Sequence, residues 1–145
     1  MYLDSCVLIK LLVSEPDSPV FQDAVTGRQI RSSELAFSEV AAALLSKERS
    51  GKISSSQRLQ AWELFRNWTE EEIVDLELLE TRTLRNANRI LSATHPHVAL
   101  RTLDAIHLAA CDLSQDFPLC TADRRMREAA ALLKIPLFPE TLPAD

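Results

Sequence analysis

The chain opens with MYLDSCVLIKLL, residues 1–12. Met1 to Asp4 read as a short strand, and Val7, Leu8, Leu11 and Leu12 then fall at the three-and-four spacing of a helix. An acid sits where the strand ends. Asp is unfavourable in strands and unfavourable to bury without a partner, so Asp4 has little structural reason to be there.

The same strand-to-helix unit repeats along the chain. EPDSP breaks the first helix, and Ser18 with Pro19 starts a second that runs to Gly27. RQIRSS reads as a strand. Ser33 caps ELAFSEVAAALLSKERSG, which Gly51 closes. A third long helix runs from Ser54 to about Glu71, with Leu59, Trp62, Leu64, Phe65 and Trp68 as its apolar members and the two tryptophans and Phe65 assigned to the core. IVDLEL alternates as a strand does, and TRTLRNANRILSAT is helical up to Pro96. Thr102 caps LDAIHLAACDLS. FPLCTAD holds a short strand, and Asp123 caps RRMREAAALLK. IPLFPETLPAD is a last strand with a proline-broken tail. Strands alternating with helices predict an α/β fold, a mostly parallel central sheet with helices on both faces. The 145 residues suit one domain, 1–145.

Composition narrows the function. Gly27 and Gly51 are the only glycines, which excludes a Walker-type phosphate loop and the G-x-G-x-x-G turn. Cys6, Cys111 and Cys120 are an odd number, far apart and set among apolar neighbours. They read as small core residues in a reducing compartment. Lys10 interrupts the first apolar run, no signal peptide is recognisable, and no stretch approaches a membrane span. A cytoplasmic protein is expected. The net charge of −5 argues against nucleic-acid binding, unless the acids are gathered to serve a cation.

Four acids fall where that is possible. In open parallel sheets, ligands bind beyond the carboxyl ends of the strands. Asp4 and Asp123 end strands, Asp104 lies in a first helical turn, and Glu39 lies early in the helix after RQIRSS. Singly, Asp123 is a helix cap, Asp104 favours the helix dipole and Glu39 is a solvated position. Together they point to a site. Two carboxylates about 4 Å apart repel by roughly 4 kcal/mol at an effective dielectric of 20, so such a pocket requires protons or a hard divalent ion.

MYLDSCVLI, SSELAFSEVAAALL, TLDAIHLAA and LCTAD resemble, in order and spacing, the four acidic motifs of the PIN-domain nucleases, and above all the VapC toxins of toxin–antitoxin pairs. The resemblance implies that Asp4, Glu39, Asp104 and Asp123 are the catalytic metal-site acids. Because Mg²⁺ keeps several of its waters, one or two direct carboxylates suffice, and Asp4 and Asp104 are expected as direct ligands, with Glu39 and Asp123 orienting water or helping to hold a second ion. Ser5 and Thr121 would be supporting hydroxyls. The resemblance also implies Mg²⁺, with Mn²⁺ as a substitute, hydrolysis of RNA phosphodiesters by metal-activated water, a cognate antitoxin, and a homodimer. Cys6 departs from the pattern, standing where a small or polar residue is usual, a change expected to alter packing only. Arg127 stands where some members carry a further acid or amide.

Arg124 and Arg125 follow Asp123 and could hold substrate phosphates. Arg82, Arg85 and Arg89 share a helical face and read as solvated surface. His107, one turn after Asp104 on an apolar helix, reads first as a packed or hydrogen-bonded histidine, and His95 and His97 as surface residues. Two other classes stay open: an aspartyl-phosphate receiver or phosphatase, for which Asp75 is the available acceptor, and a catalytically silent binding module on the same fold.

Overall fold

The computed structural model describes residues 1–142. Its elements follow in the order β1 (Tyr2–Leu3), α1 (Ser5–Leu12), α2 (Ser18–Val25), β2 (Ile30–Ser33), α3 (Leu35–Arg49), α4 (Ser55–Glu70), β3 (Val74–Glu77), α5 (Thr81–Thr94), α6 (Thr102–Ser114), β4 (Leu119–Cys120), α7 (Arg124–Leu132) and β5 (Leu137–Phe138). Five strands form one sheet in the order β3-β2-β1-β4-β5, and every adjacent pair is parallel. The shortest possible reading of the opening, a two-residue strand, is thus the centre of the sheet.

Successive strand residues face opposite sides, and this sorts the core. Tyr2 and Leu119 point into a cluster with Ile90, Ile106, Leu108 and Ala129, from α5, α6 and α7. Leu3 and Cys120 point into the other, with Val7, Phe21, Val40 and Phe65, from α1 to α4. The α/β sandwich with helices on both faces is as expected. The tail after β5 lies partly outside the described residues.

Local signals set most helix ends. Ser54 accepts from the Gln57 N–H while the Gln57 side chain accepts from the Ser54 N–H, a reciprocal capping box. Gly51 closes α3 at φ 72°, a left-handed value that costs glycine little. Four expectations shift. Ser33 stands one residue before the cap of α3, which Glu34 occupies, and its hydroxyl accepts from the Leu35 N–H. Ser18 does not cap α2; its hydroxyl bridges the Lys10 carbonyl and the Glu15 N–H across the preceding turn, and Asp17 takes the cap position. Thr102 is already helical, and Arg101 occupies the cap. On α4, Phe65 is fully buried, but Leu59 is 52% and Leu64 41% exposed and both tryptophans are half-buried, because α3 and β3 cover only one stripe of that helix.

Two substitutions on α4 check this assignment. Phe65→Ala should destabilise the protein by about 3–5 kcal/mol and Leu59→Ala by less than about 0.5 kcal/mol, read as shifts of the urea unfolding midpoint.

Candidate metal centre

Parallel pairing puts the carboxyl ends of β1, β2 and β4 on one edge of the sheet, and α1, α3 and α7 start there. Asp4 follows β1 directly and is the N-cap of α1, accepting from the Val7 N–H at 3.0 Å. It is only 2% exposed. Thr121, wholly buried after β4, donates its hydroxyl to Asp4 Oδ2 at 2.5 Å. The Cys6 thiol donates to the same carboxylate, with Sγ 2.9 Å from Oδ1. Burial pushes the Asp4 carboxyl above its ordinary range, against the Cys6, Thr121 and Val7 hydrogen bonds and the charge of His107.

Cys6 is therefore more than packing. It touches the acid, and its sulfur accepts from the Ala122 N–H at 3.4 Å. Burial, and then the charge of Asp4, raise its own thiol well above the usual range. Cys111 and Cys120 behave as the core residues expected: both are buried, and burial pushes their thiols up to about 12.

Glu39, on the second turn of α3, faces a different set of groups. Its Oε2 accepts from the Ser5 hydroxyl and lies 2.6 Å from His107 Nε2. Desolvation raises its carboxyl, but the His107 hydrogen bond and charge, with the Ser5 bond, outweigh it and leave the group below its ordinary value. His107 is buried and hydrogen-bonded, as its place on an apolar helix suggests.

Asp104 is half-buried in the first turn of α6, and its Oδ2 is buried with no hydrogen-bond partner. Burial raises its carboxyl, the charge of Asp123 raises it further, and the Arg101 backbone N–H, with the charges of Arg101 and Arg125, pulls the other way. Asp123 caps α7 through the Met126 N–H at 2.9 Å, and its own N–H donates to Thr121 Oγ1 at 3.0 Å. Asp123 thus acts as a helix cap and still lies close enough to press on Asp104.

The four acids are not one closed quartet. Asp104 faces Asp123, Asp4 is turned onto Thr121 and Cys6, and Glu39 is turned onto Ser5 and His107. Among the described residues no three His, Cys, Asp or Glu side chains form a ready-made ligand group. Neighbouring residues link the three sets: Ser5 follows Asp4, and Thr121 contacts both Asp4 and the Asp123 backbone. The donors suit a hard cation: they are carboxylate oxygens, one of them buried and unsatisfied, with two of the carboxyls raised by burial.

Several side chains lie outside this group. Arg127 donates to the Thr121, Pro139 and Glu140 carbonyls, tying the turn after β4 to the chain beyond β5. Asp75 lies on β3, an edge strand, ion-paired to Arg31 at 2.6 Å. That is not the middle-strand acceptor a receiver needs. Arg82 pairs with Glu80 and Arg89 with Asp112, and Arg85, His95 and His97 are exposed, as surface residues should be. Sequence reading missed Arg101, whose proximity to Asp104 depends on where α6 begins, and Tyr2, whose hydroxyl lies 2.9 Å from His107 Nδ1. Among the described residues no helix is long and apolar enough to cross a membrane.

The PIN domain family model matches residues 1–132. The chain belongs to the PIN domain family. Within it the similarity is to VapC proteins. Ribonuclease VapC46 of Mycobacterium tuberculosis (strain ATCC 25618 / H37Rv) is 38% identical over 136 residues, 92% of this chain and 92% of that protein. Ribonuclease VapC49 of the same strain is 33% identical over 136 residues, 90% of this chain and 88% of its own length. The crystal structure of FitAcB from Neisseria gonorrhoeae superposes with a TM-score of 0.67 at 13% identity, over 94% of this chain and 95% of that one. At that identity the likeness establishes the fold.

The raised Asp4 carboxyl has a consequence for folding. A carboxyl raised in the folded state stabilises the fold fully below its unfolded value of 3.8, and that contribution is lost as pH rises through the folded value. In EDTA, stability should fall across that window in the wild type. Asp4→Asn should flatten the fall and raise the thermal midpoint at pH 7, as measured by thermal unfolding from pH 4 to pH 8.

Proposed function

We propose that the chain is a divalent-metal-dependent endoribonuclease of the VapC kind, the toxin of a toxin–antitoxin pair, acting as a single PIN-like nuclease domain. The observation that carries this reading is the unsatisfied Asp104 oxygen, buried beside Asp123 at the carboxyl edge of the sheet. A buried carboxylate pressed by a second one is stable with a cation and costly without one.

In this reading Asp4 and Asp104 hold Mg²⁺ or Mn²⁺ directly, and Glu39 and Asp123 orient water or help to hold a second ion. Bound there, the cation supplies the charge that offsets the developing phosphorane and lowers the pKa of the attacking water. The chain's own side chains do the rest. Thr121 and Ser5 hold the carboxylates of Asp4 and Glu39 in place. Arg101 and Arg125, whose charges already reach Asp104, with Arg124, meet the phosphates of an RNA strand. Cleavage leaves a 5′-phosphate and a 3′-hydroxyl. A cognate antitoxin that places an arginine among these acids would substitute charge pairing for the cation, and a homodimer is the expected assembly.

The test is RNA cleavage by the purified protein with Mg²⁺ or Mn²⁺. Activity should stop in EDTA and return when the cation is restored in excess. Asp4→Asn and Asp104→Asn should each lose about a hundredfold or more, with unchanged circular dichroism. Undiminished cleavage in EDTA would falsify the metal reading.

A further inference from the structure

The site rests on a hydrogen-bonded chain that the family's acids do not explain. Tyr2 is wholly buried on the central strand, and its hydroxyl lies 2.9 Å from His107 Nδ1. The two rings meet edge to face, with centroids 5.9 Å apart. On the other side of the imidazole, Nε2 lies 2.6 Å from Glu39 Oε2 and 3.2 Å from Ser5 Oγ. Ser5 donates to the same Glu39 oxygen.

Glu39 Oε2 is an acceptor, so Nε2 must carry a proton whether the ring is neutral or charged. In the neutral ring Nδ1 is then the acceptor, and the buried Tyr2 hydroxyl is the donor that meets it. Nε2–H then donates to Glu39 Oε2, as does the Ser5 hydroxyl. Both bonds to Glu39 go to one oxygen, and Oε1 takes part in neither. A carboxylate on a long, rotatable side chain is thereby held with one oxygen anchored and the other available.

We propose that Tyr2 and His107 are positioning residues, a buried relay that sets the imidazole tautomer and through it aims the Glu39 carboxylate at the cation site. This rests on the metal-dependent reading above. Both act through Glu39, which His107 touches and Tyr2 reaches through the ring. Outer partners of this kind are worth about 10–100-fold in metal affinity.

The experiment is Mn²⁺ binding to the metal-free full chain, followed by electron paramagnetic resonance, together with ¹⁵N NMR of the imidazole. The wild type should show the Nε2–H tautomer. Tyr2→Phe, which preserves shape and removes the donor, should weaken Mn²⁺ binding by about tenfold and disturb the tautomer. His107→Leu should weaken it as much or more, and His107→Gln, whose side-chain amide offers Glu39 an N–H, should recover part of the loss. Cleavage by Tyr2→Phe should return toward the wild-type maximum at high Mn²⁺, a change in metal requirement and not in turnover. Folded Tyr2→Phe and His107→Leu proteins that bind Mn²⁺ as the wild type does would overturn the relay, as would an Nδ1–H tautomer in the wild type. A wild type that binds no Mn²⁺ would instead overturn the metal reading beneath it.

Discussion

The structure depends on the burial of one acid at the end of its central strand. β1 is two residues long, and it is hydrogen-bonded to a neighbour on each side. Asp4 at its end is almost wholly buried, and the protein surrounds the carboxylate with donors: a backbone N–H from the helix it caps, a threonine hydroxyl from the adjacent strand end and a thiol two residues on. These bonds lower the cost of burial without cancelling it, since the carboxyl still lies above its ordinary range. A fold that keeps a residue on these terms holds it for something other than stability.

Topology brings Asp123 and Glu39 to the same end of the sheet, on helices that leave β4 and β2, while Asp104 comes on α6, which follows α5. A parallel sheet sends each crossover helix back from the carboxyl end of a strand. Helix starts therefore collect there, and with them the residues that favour helix starts. Asp123 shows how one residue serves two purposes, capping α7 while its charge reaches Asp104. Glu39 differs. It lies inside a helix, and its carboxylate is ordered by Ser5 and by an imidazole brought from α6, an element 68 residues further along the chain. Charge is treated unequally across the site: Glu39 is partnered and held low, while Asp4 and Asp104 are held high.

The net charge of −5 takes on a different meaning once the charges are placed. Acids gather at the carboxyl ends of the strands, and the charges of Arg101 and Arg125 reach Asp104 there. Elsewhere many acids are neutralised locally, as in the Lys10, Glu15, Asp17 and Lys47 network and the Arg31 cluster with Asp75, Glu77 and Asp116. Overall charge is a sum, and a sum carries no information about position.

What the sequence by itself determined was the order and kind of the elements. The three-and-four spacing of α1, the start of the third long helix at Ser54, the closing Gly51 and the alternation in IVDLEL are local signals, because helix and strand patterns repeat within a few residues. The four acids were legible as candidates too: Asp4 and Asp123 end strands, Asp104 opens a helix, and Glu39 lies early in the helix that follows a strand. Tertiary structure alone decided which groups those acids face. Cys6 looked like packing because its neighbours in sequence are apolar, yet its sulfur reaches Asp4 and Ala122. Trp62 and Trp68 looked like core and do pack against the cluster around Phe65, but from its border, half-buried. Tyr2 meets His107 across 105 residues, and Thr121 meets Asp4 across 117. Hydrogen bonds are directional and short, so whether two distant polar groups form one depends on the register of the sheet and the docking of α6, which no local pattern encodes.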